Sequence, residues 1–127
     1  MVMLLDSSAW VEFFIKSEKG EIVRKLLENE ECYTSIATLA EISNYAMREK
    51  LDGKELIIFI INSTKVLNLN SEISFLAGKL NYKRKKTVKN WGMIDSLILA
   101  TSLFYNLKIL TKDSHFRDLE NAEMLNK

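Results

Sequence analysis

Asp6, Glu41, Asp95 and Asp113 lie far apart in the chain, yet each stands where a regular element is expected to start or stop. Asp6 closes the run Met3-Leu4-Leu5, and Asp113 follows Ile109-Leu110-Thr111-Lys112; both runs predict strands. Glu41, in Thr38-Leu39-Ala40-Glu41-Ile42, and Asp95, in Met93-Ile94-Asp95-Ser96-Leu97, sit near the starts of apolar helices. Parallel strands in an α/β sheet deliver their ends and the following loops to one edge, where ligands bind. Carboxylates gathered there repel one another. A single pair at about 5 Å and an effective dielectric of about 20 costs roughly 3 kcal/mol. Such a cluster needs a positive partner, and oxygen donors of this kind suit a hard divalent cation. Thr111 would set a hydroxyl beside them.

Taken singly, each acid has an ordinary structural explanation. Asp6 can cap the helix after it. Thr38 and Glu41 have capping-box spacing, Asp95 falls in a first helical turn where the dipole favours it, and Asp113 suits a turn. Together they argue for more. Asp95 is followed by Leu97, Ile98 and Leu99, so its helix heads into the core, and a carboxylate there is poorly solvated unless it faces a cleft. The lone His115 is read as a surface turn residue, and the single Cys32 as a small buried strand residue. One cysteine excludes an intrachain disulfide framework and a thiolate zinc site, and one histidine argues against a histidine-rich centre. Any metal would then be held by oxygens.

Short aliphatic runs alternate with amphipathic segments, which predicts an α/β fold with a mainly parallel sheet. Strands are expected at Val2 to Leu5, Cys32 to Ser35, Lys65 to Leu69 and Lys108 to Thr111, with a short edge strand at Ala122 to Leu125. Helices are expected over Ser7 to Ile15, about Glu21 to Glu28, Ile36 to Arg48 and Lys54 to Ser63, although the run Ile57 to Ile61 keeps a strand open for the last. Asp52-Gly53 reads as a turn. Asn70 or Ser71 can cap a helix carrying Ile73, Phe75, Leu76 and Leu80. The segment from Ile94 to Tyr105 is apolar almost all round, the pattern of a helix buried between other elements. Trp10, Phe13 and Phe14 are read as core.

The 127 residues suit one domain spanning 1–127, with an apolar fraction of 47% sufficient for a core. The net charge of +1 carries little information, but Lys83, Arg84, Lys85, Lys86 and Lys89 form a basic run just before Asp95. Basic residues beside an acidic site suit a polyanion cut through a metal, although a solvated loop explains such a run as well. No apolar stretch approaches the roughly 20 residues needed to span a bilayer, and the N-terminus reads as a strand instead of a signal peptide. The expected location is the cytoplasm, with no membrane partner.

Four stretches now combine: Leu4-Leu5-Asp6-Ser7-Ser8-Ala9-Trp10, Thr38-Leu39-Ala40-Glu41-Ile42, Asp95-Ser96-Leu97-Ile98-Leu99-Ala100 and Leu107-Lys108-Ile109-Leu110-Thr111-Lys112-Asp113-Ser114-His115-Phe116. In this order they resemble the PIN-domain ribonucleases, most closely the small stand-alone kind that act as toxins of VapBC-type toxin–antitoxin pairs. The resemblance implies a three-layer α/β/α sandwich around a mainly parallel sheet. It implies metal-dependent endoribonuclease activity, with Asp6, Glu41, Asp95 and Asp113 as catalytic and metal-holding acids for one or two Mg²⁺ or Mn²⁺ ions. Ser7 and Thr111 fall at supporting hydroxyl positions, Ser8 matches a second small hydroxyl residue, and Phe116 matches a core aromatic. It further implies an RNA substrate, a homodimer and a small antitoxin. Contacts from the lysine run to RNA rest on charge alone. Two other readings stand beside this one. A phosphoacceptor receiver domain would need an acidic pair near the first strand, where Asp6 stands alone. A non-catalytic PIN-like adaptor would be expected to lose acidic positions, and here all four are present.

Overall fold

A computed structural model describes residues 2–125; Met1, Asn126 and Lys127, which the single-domain expectation includes, lie outside the described residues. The elements run β1 (Met3–Leu5), α1 (Ser7–Phe14), α2 (Glu18–Asn29), β2 (Cys32–Ser35), α3 (Ile36–Glu49), α4 (Gly53–Ser63), β3 (Lys65–Leu67), α5 (Ser71–Arg84), α6 (Met93–Tyr105), β4 (Lys108–Thr111), a 3-10 turn (Ser114–Phe116) and β5 (Ala122–Met124). The five strands form one sheet in the order β3-β2-β1-β4-β5, and every pairing is parallel. β1 is central, with Leu4 opposite Tyr33 on one side and Ile109 on the other.

Alternation along β1 divides the core into two layers. Met3 and Leu5 pack with Trp10 of α1, Val23 of α2, Ile42 of α3 and Ile60 of α4. Leu4 faces the other way, toward Trp91, Ile98 and Leu99 with Leu80 of α5 beside them. The result is the α/β/α sandwich expected from sequence. Both faces of β1 are buried, which explains an aliphatic run without polar alternation. Trp10 is fully buried, and its indole Nε1 donates to Thr34 Oγ1 at 3.2 Å. Phe13 and Phe14 pack around it, with Phe59 of α4 completing the aromatic group.

Several boundaries differ from expectation for local reasons. α2 starts at Glu18 because the Ser17 side chain caps it by accepting from Gly20 N. Asp52 is the cap of α4 and Gly53 its first residue, so the expected turn becomes a helix start; the helix, and not the strand, forms over Ile57 to Ile61. β3 stops at Leu67, two residues short of Leu69. α6 is buried only through Ser102. Its last turn (Leu103, Phe104 and Tyr105) is exposed, which corrects the expectation of a helix enclosed on every face.

Gly20 is required by a close approach between α1 and α2. A Cβ placed there would lie 2.1 Å from the backbone oxygen of Glu12 and 2.7 Å from its carbonyl carbon. Backbone cannot swing aside as a side-chain tip can, so the helices themselves must separate. Gly20→Ala is expected to destabilise the protein by about 1–3 kcal/mol, the range for overpacking. Urea unfolding at constant slope checks this, and an unchanged midpoint would show that the helix pair yields freely.

Candidate metal centre

Asp6 follows β1 directly, and its backbone N–H extends the ladder by donating to Leu110 O at 3.2 Å. Its carboxylate is buried and heavily bonded. Oδ1 accepts from Ser8 Oγ at 2.7 Å and from Ala9 N at 3.0 Å, while Oδ2 accepts from Thr111 Oγ1 at 2.5 Å. Asp6 therefore does cap α1, and it also faces the end of β4. Burial is the dominant influence on its acidity. The three donors and their opposing effect notwithstanding, its pKa is pushed up from 3.8 to about 6, with the charge of Asp113 adding to the rise.

Thr111 carries the link onward. Its Oγ1 accepts from Asp113 N at 2.9 Å, so one hydroxyl ties the two aspartates. Ser8 performs a similar junction, accepting from Lys112 N at 2.9 Å. Asp113 caps the 3-10 turn, with Oδ1 accepting from His115 N at 3.0 Å. Asp95 lies in the first turn of α6, and its Oδ2 accepts from Gly92 N at 3.0 Å. Oδ1 of Asp95 and Oδ2 of Asp113 receive no hydrogen bond from the described residues.

The ring of His115 closes the group. Nδ1 lies 3.3 Å from Oδ2 of Asp95 and 3.3 Å from Oδ1 of Asp113. Potential ligand atoms of Asp95, Asp113 and His115 all fall within 4.8 Å of one another. His115 thus lies in a turn, as read from the sequence, but half-buried against the acids and not at the surface. Asp113 folds the backbone into a tight turn that carries residue 115 back over the acids, and the side chain is only 25% exposed. An aspartate two residues before a histidine at a strand end was the sequence signal for this turn.

Glu41 and Asp6 stand outside that 4.8 Å group but share its field. Glu41 lies in the second turn of α3, which is capped by Ser35, so the expected capping box with Thr38 does not form. Its pKa is raised first by burial and then by the charges of Asp95 and Asp113, with the Ser7 hydroxyl opposing. Asp95 is raised likewise, by burial and by Asp113, against the Gly92 N–H and His115. Carboxylates with these displacements are poorly compensated by the protein itself, and an added cation would relieve them all. The donor set fits a divalent ion: oxygens without a partner, held on strand and helix ends.

The basic run divides in two. Lys83, Lys85, Lys86 and Lys89 are exposed. Arg84 is committed elsewhere: it forms a bidentate pair with Asp118 at 2.9 and 3.1 Å, donates to His115 O at 3.0 Å, and stacks 4.1 Å from the Trp91 ring. These bonds tie the end of α5 to the turn that carries His115. A hollow of about 510 Å³ opens beside the centre, lined by Lys89, His115, Arg117 and Asp118 among others.

A family profile described as PIN domain matches residues 3–122. Comparison with curated protein sequences gives no match. Among solved structures, VapBC-1 from nontypeable Haemophilus influenzae is 24% identical with a TM-score of 0.71, each chain covered over 100% of its length. A toxin–antitoxin complex from Klebsiella pneumoniae gives 16% identity and a TM-score of 0.78 over 98% of both chains. VapC20 of Mycobacterium tuberculosis, a sarcin–ricin loop cleaving toxin, gives 12% identity and a TM-score of 0.69 over 93% of this chain and 95% of that one. At these identities the likeness is one of fold. Among the described residues, no helix is long and apolar enough to cross a membrane.

Proposed function

Because the chain belongs to the PIN-domain family, we propose that it is a divalent-metal-dependent endoribonuclease that hydrolyses RNA phosphodiester bonds as the toxin half of a type II toxin–antitoxin pair. The observation that carries the reading is the meeting of Asp95 and Asp113 at the sheet edge, with Asp6 and Glu41 in the same electrostatic field. Mg²⁺ or Mn²⁺ is the cofactor, as one or two ions. When bound, the cation lowers the pKa of water and offsets charge on the phosphate.

Asp95 and Asp113 would hold the cation through their carboxylate oxygens. Asp6, locked by Ser8, Ala9 and Thr111, supplies a fixed negative charge behind them and keeps Thr111 aimed at the Asp113 backbone. Glu41, with its raised pKa and the Ser7 hydroxyl beside it, orients the attacking water and takes its proton. No serine or cysteine nucleophile is required. The exposed Lys83, Lys85, Lys86 and Lys89 draw the RNA backbone toward the hollow beside His115.

The solved neighbour described as a toxin–antitoxin complex supports a small antitoxin as partner, and a homodimer is proposed with it. Cleavage of RNA that EDTA stops and Mn²⁺ restores separates the nuclease from an RNA-binding adaptor, which would bind without cutting. Mapping RNA ends after brief expression in cells identifies the target. Lys89→Ala is expected to weaken RNA binding a few-fold and to lower the slope of log affinity against log salt by about one. Fluorescence anisotropy across a salt series reads both, and an unchanged slope would remove Lys89 from the RNA path.

A further inference from the structure

His115 is the one histidine in the chain, and it stands where the fold gathers acids. Its placement is built from both sides of the backbone. Its N–H is fixed by Asp113 Oδ1 at 3.0 Å, and its carbonyl by Arg84 at 3.0 Å. Arg84 is itself pinned by Asp118 and the Trp91 face, and its side chain is only 13% exposed. The next residue, Phe116, is fully buried with its ring 5.1 Å from that of Trp91. Trp91 in turn donates to Ser96 Oγ at 2.7 Å, beside Asp95 on α6. The same network that anchors the histidine thus anchors the start of the helix that carries Asp95.

This arrangement changes the chemistry open to the site. Mg²⁺ favours oxygen donors and retains several waters. An imidazole nitrogen suits transition ions better. Here a nitrogen lies 3.3 Å from each of two carboxylate oxygens, close enough to share an ion with them. Resting on the reading of this pocket as a metal centre, we propose that His115 Nδ1 is a direct ligand of the divalent ion. The nitrogen biases the site toward a transition ion such as Mn²⁺ over Mg²⁺. The competing role is positional: His115 would only hydrogen-bond the two carboxylates and stay off the ion.

The test uses untagged full-length protein loaded with Mn²⁺ alone. Electron spin-echo envelope modulation should show strong ¹⁴N coupling to the ion. Growth on ¹⁵N-histidine should convert that signal to ¹⁵N, and with one histidine in the chain the assignment needs no mutation. Calorimetry on His115→Gln should show Mn²⁺ affinity falling on the order of tenfold, with Mg²⁺ affinity changing less than about threefold. Bound Mn²⁺ without nitrogen coupling overturns the proposal and leaves the metal centre standing, as does an equal loss for both ions in His115→Gln. Failure of the wild type to bind either ion overturns both.

Discussion

Asp95→Asn is expected to slow RNA cleavage at least about 100-fold in Mg²⁺ or Mn²⁺ while the protein stays folded. The substitution keeps the shape of the side chain and an oxygen to accept from Gly92 N, which is the contact that starts α6. What it removes is the negative charge and the second carboxylate oxygen, which receives no bond from the described residues. Local structure is therefore preserved while cation affinity is lost, and the two explanations for this acid give opposite results. A pure helix cap predicts near-normal cleavage in Asp95→Asn. A metal-holding acid predicts loss of cleavage with an unchanged circular dichroism spectrum. Asp6→Asn makes the same distinction at the other end of the cluster, since asparagine also caps well. Full activity in both variants would sink the metal reading.

The metal-free protein is expected to lose stability as pH rises from about 4 to 7. The sign follows from Asp6. Its folded pKa of about 6 lies above the ordinary 3.8, so between those values the folded chain holds a proton that the unfolded chain has released. Stability is then fully present below the unfolded value and falls as pH climbs through the folded one. For this buried group the loss is about 3 kcal/mol. Glu41 and Asp95 are displaced in the same direction and add to the fall. Glu12 opposes it at the acid end: despite burial, bonds from Ser17 and Lys112 hold its carboxyl below 4.5, so its stabilisation is lost only as pH drops under that value. Thermal melts in EDTA across this range check the slope. Asp6→Asn should flatten the curve and raise the melting temperature near pH 7.5. Saturating Mn²⁺ should do likewise in the wild type, because a bound cation favours the ionised acids. A wild-type curve that rises toward neutral pH, or a clear drop in melting temperature for Asp6→Asn, would mean that capping outweighs repulsion.

Much of the architecture was legible because its signals are short. Met3-Leu4-Leu5 and Ile109-Leu110 are apolar without alternation, and they lie in the adjacent strands β1 and β4. Asn70, one of the two residues expected to cap α5, does so. The exposed end of α6 was not legible: Leu103, Phe104 and Tyr105 continue an apolar pattern, and their exposure depends on what the fold packs beside them. The partners of Arg84 were not legible for a related reason. In sequence it belongs to a basic run, but its partners Asp118, His115 and Trp91 come from segments that pattern reading treats separately.

The α/β alternation, the element to which each acid is attached, and a resemblance strong enough to name a family can all be read from the order of residues alone. Those are properties of windows of a few residues, where side-chain period, caps and turns act. The folded chain was needed to see that Thr111 joins Asp6 to Asp113, that Glu41 stands outside the tightest group, and that His115 stands inside it. Such placements depend on strand order and on loops that close over about a hundred residues. Distances of a few ångströms across them are set by packing, which no local pattern encodes.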